Sequence, residues 1–189
     1  MKSQTGKWWI VFVLVVSLCA NSMFGQTSGS SSVFMTIEGQ NGMLDGEVTQ
    51  IGREGQHKLQ AYTHEIVSPR DAASGLPTGK RQHKPFRIVK LINKSSPLLL
   101  KAIANNEKLP TVQVSIWTPN QVGQEIKLLT YKLSNASVAS IRPWMPNKSD
   151  TSTRDYPPAE EVSFTYQKIE ITYHNGGITA EDDWEAPVQ

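Results

Sequence analysis

Nineteen residues from Ser68 to Phe86, SPRDAASGLPTGKRQHKPF, separate two stretches patterned as β-strands, and they limit what the chain can become. Glycine, proline and serine set turns here at Gly75 and from Pro77 to Gly79. Arg70, Lys80, Arg81 and Lys84 add four cations, and Pro85 closes the segment before an alternating run begins. Ordered connections longer than about 12–15 residues are uncommon in a compact domain and are usually functional. A segment this polar cannot be buried in a core. It is expected to be a long extended arm that gains order by lying on another surface, another subunit in particular.

On either side of the arm the pattern is that of β-structure. Val33 to Ile37 is the first expected strand, and Glu47 to Ile51 is expected to pair with it after the turn material Glu38 to Gly42. His57 to Val67 alternates loosely and leads into the arm. Beyond the arm, Phe86, Ile88, Lys90 and Ile92 share one face, with Arg87, Val89 and Leu91 on the other. Thr111 to Trp117 and Glu125 to Leu133 alternate again, and Ser134-Asn135 is expected to turn the chain into Ala136 to Ile141. Arg142 to Pro158 has the composition of a second long, mobile loop. Val162 to Tyr173 alternates with one change of phase, the signature of a bulge or a barrel corner. Asn175-Gly-Gly177 is a hairpin turn into Ile178 to Trp184.

One helix is expected, from Pro97 to about Asn106, with Ser96 as N-cap, Pro97 in the first turn and Leu98 to Ala104 supplying an apolar stripe. Pro110 forbids its extension. The fold class is therefore mainly β. It is a small closed barrel of about eight antiparallel strands, with one short α-helix at an end or on the rim and one long arm.

The first residues stand apart from this pattern. Lys2 and Lys7 precede an apolar run from Trp8 to Leu18, which gives way to small and polar residues. That is the layout of a secretory signal peptide, residues 1–25, cut between 20 and 26. A flexible leader, 26–32, follows, and the folded domain is expected over 33–189. Cys19 is the single cysteine, so a chain cut after it has no disulfide, thiolate ligand or cysteine nucleophile. Leu18 is too bulky before it to suit lipoprotein processing. No membrane association is expected once the signal is removed. The whole chain has 19 basic and 17 acidic residues, and subtracting Lys2 and Lys7 leaves 17 of each. A neutral mature protein is a poor nucleic-acid binder, because such binding rests on neutralising phosphates.

No grouping carries catalytic chemistry. Gly75 to Lys80 imitates a phosphate-binding loop, but its first glycine is one residue too close and Arg81 stands where Ser or Thr belongs. The four histidines, His57, His64, His83 and His174, lack metal-site spacing. No serine-nucleophile elbow is present. Glu160-Glu161 and Glu181 to Asp183 have the placement of solvated strand ends, with Glu161 or Glu170 available to meet the arm's cations across a subunit boundary. Asn93, Asn135 and Asn147 head Asn-x-Ser triplets, the pattern of N-glycosylation acceptors. No enzyme activity, cofactor or metal is expected.

Several pieces of sequence together resemble one family. They are Met35-Thr-Ile-Glu-Gly-Gln40, the arm itself, Lys94-Ser-Ser-Pro97, Trp117-Thr-Pro119, the run from Glu160 to Glu170, and Asp183-Trp-Glu-Ala-Pro187. In this order they resemble Hcp proteins, the tube subunits of bacterial type VI secretion, over nearly the whole chain from Val33. The resemblance implies a β-barrel subunit that closes into homohexameric rings, which stack into a tube that carries or chaperones secreted effectors and meets other secretion-machine components. It assigns ring stacking to Ser68, Pro69, Arg70, Asp71, Gly75, Gly79, Lys80, Arg81, His83 and Lys84, and it sets Thr63 toward a lumen. A signal peptide departs from the family's habit of assembling in the cytoplasm, and points to a periplasmic or extracellular setting. The alternative is an exported, monomeric β-sandwich that binds carbohydrate or a surface protein, for which exposed coplanar aromatics among Trp117, Trp144 and Trp184 are the mark.

Overall fold

Alternating apolar side chains roll the chain into a closed barrel. The structure, a computed structural model, describes residues 30–186; the expected signal peptide and most of the leader lie outside them. The elements run β1 (Ser32–Gly39), β2 (Gly42–Met43), β3 (His57–Thr63), β4 (Ile66–Val67), β5 (Gln82–His83) and β6 (Phe86–Leu91). Then come α1 (Ser96–Ala104), β7 (Leu109–Pro119), β8 (Glu125–Trp144), β9 (Ala159–Thr165), β10 (Lys168–Tyr173) and β11 (Ile178–Asp183). All pairings are antiparallel. Six strands close the barrel in the order β7-β1-β3-β6-β9-β8, and β8 returns to β7.

β8 makes closure possible because it is twenty residues long and serves two neighbours in succession. Its first part pairs with β7 and, on its other edge, with β10. Its last part, from Ser137 to Trp144, pairs with β9. The expected turn at Ser134-Asn135 is not made. Asn135 instead takes a left-handed φ of 50° within a continuous strand and bends it, which asparagine tolerates at little cost. The strand also runs three residues into the expected loop. Pro143 is accepted there because β7 has already left that edge, so no partner needs its missing N–H. The remaining loop is tied by its own bonds, with the Lys148 ammonium donating to the carbonyls of Arg154 and Tyr156 at 2.8 and 2.6 Å.

The phase change in the run from Val162 to Tyr173 is a barrel corner. β9 stops at Thr165, and β10 resumes at Lys168 on the other stretch of β8. β10 and β11 then form a hairpin turned by Gly176 and Gly177. Among the described residues, the outer edge of β11 has no partner strand.

The expected strand Glu47 to Ile51 does not form. Gly52 and Gly55, both at positive φ, curl this segment back on itself, and the bonds Gly46 N–H to Gly55 O and Gly55 N–H to Val48 O hold the curl. Gly46 admits no side chain, since a Cβ there meets the Gln56 carbonyl oxygen at 2.3 Å. Arg53, at the bend, is buried against the barrel wall with its guanidinium 4.5 Å from the Phe34 ring and 4.0 Å from that of Trp117, and it pairs with Glu125 at 2.9 Å. β2 takes the place beside β1 instead.

Inside, Met35, Ile37, Phe86, Ile88, Val112, Val114, Leu133, Val162 and Phe164 form one apolar cluster. Each large side chain fully buried stabilises the fold by roughly 1.5–3 kcal/mol. α1 sets Leu99 and Ala102 into the same cluster and so packs the barrel as expected. Its start differs: Ser95, not Ser96, is the N-cap residue and makes no side-chain cap bond. Asn93 takes over, its Oδ1 accepting from the Ser95 amide at 3.0 Å and the Ser95 hydroxyl at 2.7 Å. The helix ends through Asn106 at φ 49°, with the Glu107 amide donating to Ala102 O. Among the described residues, apolar side chains thus fill the barrel interior.

Candidate functional site

The arm holds itself together. Ile66 pairs with His83 and Val67 with Gln82, the Lys84 amide bonds Glu65 O at 3.0 Å, and the Thr78 amide bonds Pro69 O at 3.0 Å. At the tip, Asp71 accepts from the amides of Ala73 and Ser74 and from the Ser74 hydroxyl, and Arg70 donates to Gly75 O at 3.1 Å. Gly75, at φ 70°, makes the reversal. The arm is therefore an antiparallel ribbon folded on itself, where sequence suggested an extended strap ordered by another surface. Ser68, Asp71, Gly79, Lys80 and Lys84 are exposed along it, and the whole tip from Asp71 to Lys80 faces solvent.

Where the ribbon joins the barrel, a polar cluster anchors it. His64 Nε2 lies 2.6 Å from the Tyr166 hydroxyl, and His83 Nδ1 lies 2.9 Å from the same oxygen. His83 Nε2 donates to Asp182 Oδ2 at 2.7 Å. Arg81 forms a bidentate pair with the Asp182 carboxylate and donates to Asp183 O at 2.8 Å. The arm's two strands are thus fastened to the corner residue Tyr166 and to β11. Hydrogen bonds from Arg81 hold the Asp182 carboxyl below its ordinary range, and Asp182 in turn raises the Arg81 guanidinium. Burial lowers the His64 imidazole, with His83 acting in the same direction. Burial, then the Asp182 charge, raises the Tyr166 phenol.

An aromatic floor supports this cluster. Phe86 stacks on Tyr62 with centroids 5.8 Å apart and on His64 at 5.2 Å, and it meets the edge of Tyr131 at 5.3 Å. Burial, followed by Tyr62, pushes the Tyr131 phenol up to about 12.

Of the residues expected to act, Arg81 and His83 enter the cluster, while Arg70, Asp71 and Gly75 build the tip. Thr63 is exposed on the outer wall of β3, beside a cleft of about 290 Å³ that His64, Glu65 and Arg87 also line. His64, Tyr166 and Asp182 were not singled out for any joint role. They lie about 20 to 100 residues from His83, and no local spacing links them. Within Glu181 to Asp183, Glu181 is exposed as expected, whereas Asp182 is paired with Arg81 of the same subunit. Within the subunit, Glu161 lies 3.7 Å from the Arg142 guanidinium. Nor is there an aromatic platform including Trp117, whose ring is covered by Arg53 and Lys127.

A barrel with one short helix packed against it has known counterparts. The family profile described as "Type VI secretion system effector, Hcp" matches residues 34–173. The chain belongs to the Hcp family. A "Major exported protein" of Pseudomonas aeruginosa is 38% identical over 143 residues, 76% of this chain and 83% of the relative. The crystal structure of an Hcp protein superposes with a TM-score of 0.77 at 31% identity, covering 84% of this chain and 100% of the other. An Hcp1 protein from E. coli EAEC 042 gives a TM-score of 0.72 at 30% identity, covering 81% and 98%. This chain is thus a structural subunit of the Hcp type.

Proposed function

We propose that the chain is an exported tube protein that closes into homohexameric rings, stacks them and carries effectors through the stack. The observation that carries this reading is the complete coverage of a solved Hcp subunit, with a TM-score of 0.77 at 31% identity. Two features of the chain support it. The barrel interior is filled, so any conduit has to come from several subunits arranged around a common axis. The outer edge of β11 offers backbone donors and acceptors to a neighbouring strand, and a head-to-tail contact of that kind closes into a ring.

The arm projects from this body with an exposed, turn-rich tip, which suits it to reach an adjacent ring. Ser68, Pro69, Arg70, Asp71, Gly75, Gly79, Lys80, Arg81, His83 and Lys84 then act as the stacking element, with Arg81 and His83 setting its angle. Beside its base, a cleft of about 700 Å³ lined by Pro69, Lys80, Arg81, Gln82 and Trp184 is the natural receptor for a neighbour. Thr63 is assigned to the lumen on the family resemblance and on its exposure. Export through residues 1–25, by a signal cut between 20 and 26, places the assembly outside the cytoplasm. The effector-carrying role rests on the family alone.

Removing the tip from Ala72 to Thr78, which spares Arg81 and His83, is expected to leave single rings intact and abolish longer stacks in electron micrographs. Unchanged tube lengths would contradict the stacking role. A reconstruction of those rings also locates Thr63, and a β3 turned toward the outside of the ring removes it from the lumen.

A further inference from the structure

The corner cluster contains a chain of four groups and three shared protons. With both imidazoles neutral, every position is satisfied: His64 Nε2–H donates to Tyr166 Oη, Tyr166 O–H donates to His83 Nδ1, and His83 Nε2–H donates to Asp182. One added proton is also accommodated. His83 then donates from both nitrogens, to Tyr166 and Asp182, and Tyr166 turns its O–H toward His64, which presents a bare Nε2. A second proton has no place. Two imidazolium rings then direct N–H groups at one phenolic oxygen, at 2.6 and 2.9 Å, and the Tyr166 proton has no acceptor within the cluster.

We propose that this cluster is an acid-sensitive latch, in which protonation of the second histidine frees His64 and lets the arm pivot about Arg81. The proposal rests on the reading of the arm as the ring-stacking element and supplies its regulation. His64 is the histidine released because it has no carboxylate partner, whereas His83 is held by Asp182.

The neighbouring groups fit this assignment. From β3 and β8, the rings of Tyr62 and Tyr131 face the cluster, packed on Phe86 of β6. On the solvent side, Glu65, Lys84 and Arg87 line the cleft beside His64, and the two cations outweigh the single carboxylate there. Around β11, Asp182 balances Arg81 and His83, and Asp183 contributes its backbone carbonyl. Because the folded state lowers the His64 imidazole, the stability it contributes is complete above the ordinary histidine range, near pH ~6.5. That stability is lost as pH falls through the lowered folded value. The Arg81–Asp182 leg persists through this window, because Asp182 is itself lowered and stays ionised. The arm is therefore loosened at one leg while the other remains fastened.

Hydrogen exchange of the purified chain reads the latch directly. After correction for intrinsic rates, the amides from His64 to Lys84 are expected to exchange about tenfold faster at pH 5 than at pH 7.5. His64→Gln can donate to or accept from Tyr166 without charging, and is expected to abolish that difference. Tyr166→Phe is expected to give fast exchange at both pH values. Equal protection of the native arm at both pH values, or a pH difference that survives in His64→Gln, would overturn the latch. Molar mass on the same samples separates this from the ring: a monomer with pH-dependent exchange supports the latch while contradicting the ring.

Discussion

Replacing Lys90 by methionine is expected to cost about 3–5 kcal/mol of stability, the cost of leaving a buried charge without its partner. Lys90 is fully buried on β6, opposite Glu160 on β9, and its ammonium lies 2.7 Å from the Glu160 carboxylate. Asn93 Oδ1 at 2.9 Å and Leu91 O at 3.1 Å accept its other protons, and the Ser96 hydroxyl lies at 3.4 Å. Ser96 in turn donates to Glu160 at 2.8 Å. One ammonium therefore ties two barrel strands to the start of α1. Methionine keeps the volume but leaves a carboxylate, 2 % exposed, with a single hydroxyl donor.

Against a total stability of about 5–15 kcal/mol, this loss leaves a marginal fold. Urea denaturation at fixed protein concentration measures it. Adding Glu160→Leu to Lys90→Met is expected to recover most of the loss, because a pair replaced as a unit leaves no charge behind. A Lys90→Met protein within 1 kcal/mol of the native one, by this yardstick, would show that Glu160 finds relief elsewhere.

The second large effect lies at the other end of the same strand. Phe86→Ala removes a fully buried ring and is expected to cost about 3–5 kcal/mol, through lost transfer energy and the cavity left behind. It differs from Lys90→Met in its local consequence. Phe86 is the surface on which Tyr62, His64 and Tyr131 pack, so its loss also unseats the histidine that holds the arm. Exchange of the arm amides at pH 7.5 is expected to rise in Phe86→Ala under conditions where the barrel amides remain protected, and to stay low in Lys90→Met. An equal rise in both variants would mean that the arm follows global stability alone.

β6 also shows where sequence reasoning succeeds and stops. Its alternation places Phe86, Ile88 and Lys90 on one face, and all three are buried there. The alternation cannot tell that a lysine on that face is paired inside the barrel, because its partner lies 70 positions away in a doublet that resembles a solvated strand end. Asp182 is hidden for the same reason. Its role depends on a corner at Tyr166 that brings β11 back beside the arm.

Turn chemistry was legible wherever it is local, as at Gly75 and at Asn175-Gly-Gly177. It misled at Ser134-Asn135, where tertiary pairing on both edges keeps β8 continuous. Glu47 to Ile51 has strand-forming residues, yet the glycines that follow and the pull of Arg53 onto Phe34 and Trp117 fold it into a curl. The closed barrel, the single helix and the arm were accessible because they rest on periodicity and breakers. The cluster that fixes the arm was not, because four separate segments supply it.

The molar mass of the purified, processed chain by light scattering at pH 7.5 tests the central claim most directly. A mass six times that of one subunit is the predicted result for the proposed Hcp ring, in which the edge of β11, unpaired among the described residues, meets a neighbour. A monomer that persists at high concentration would contradict it, leaving an Hcp fold used for something other than a ring.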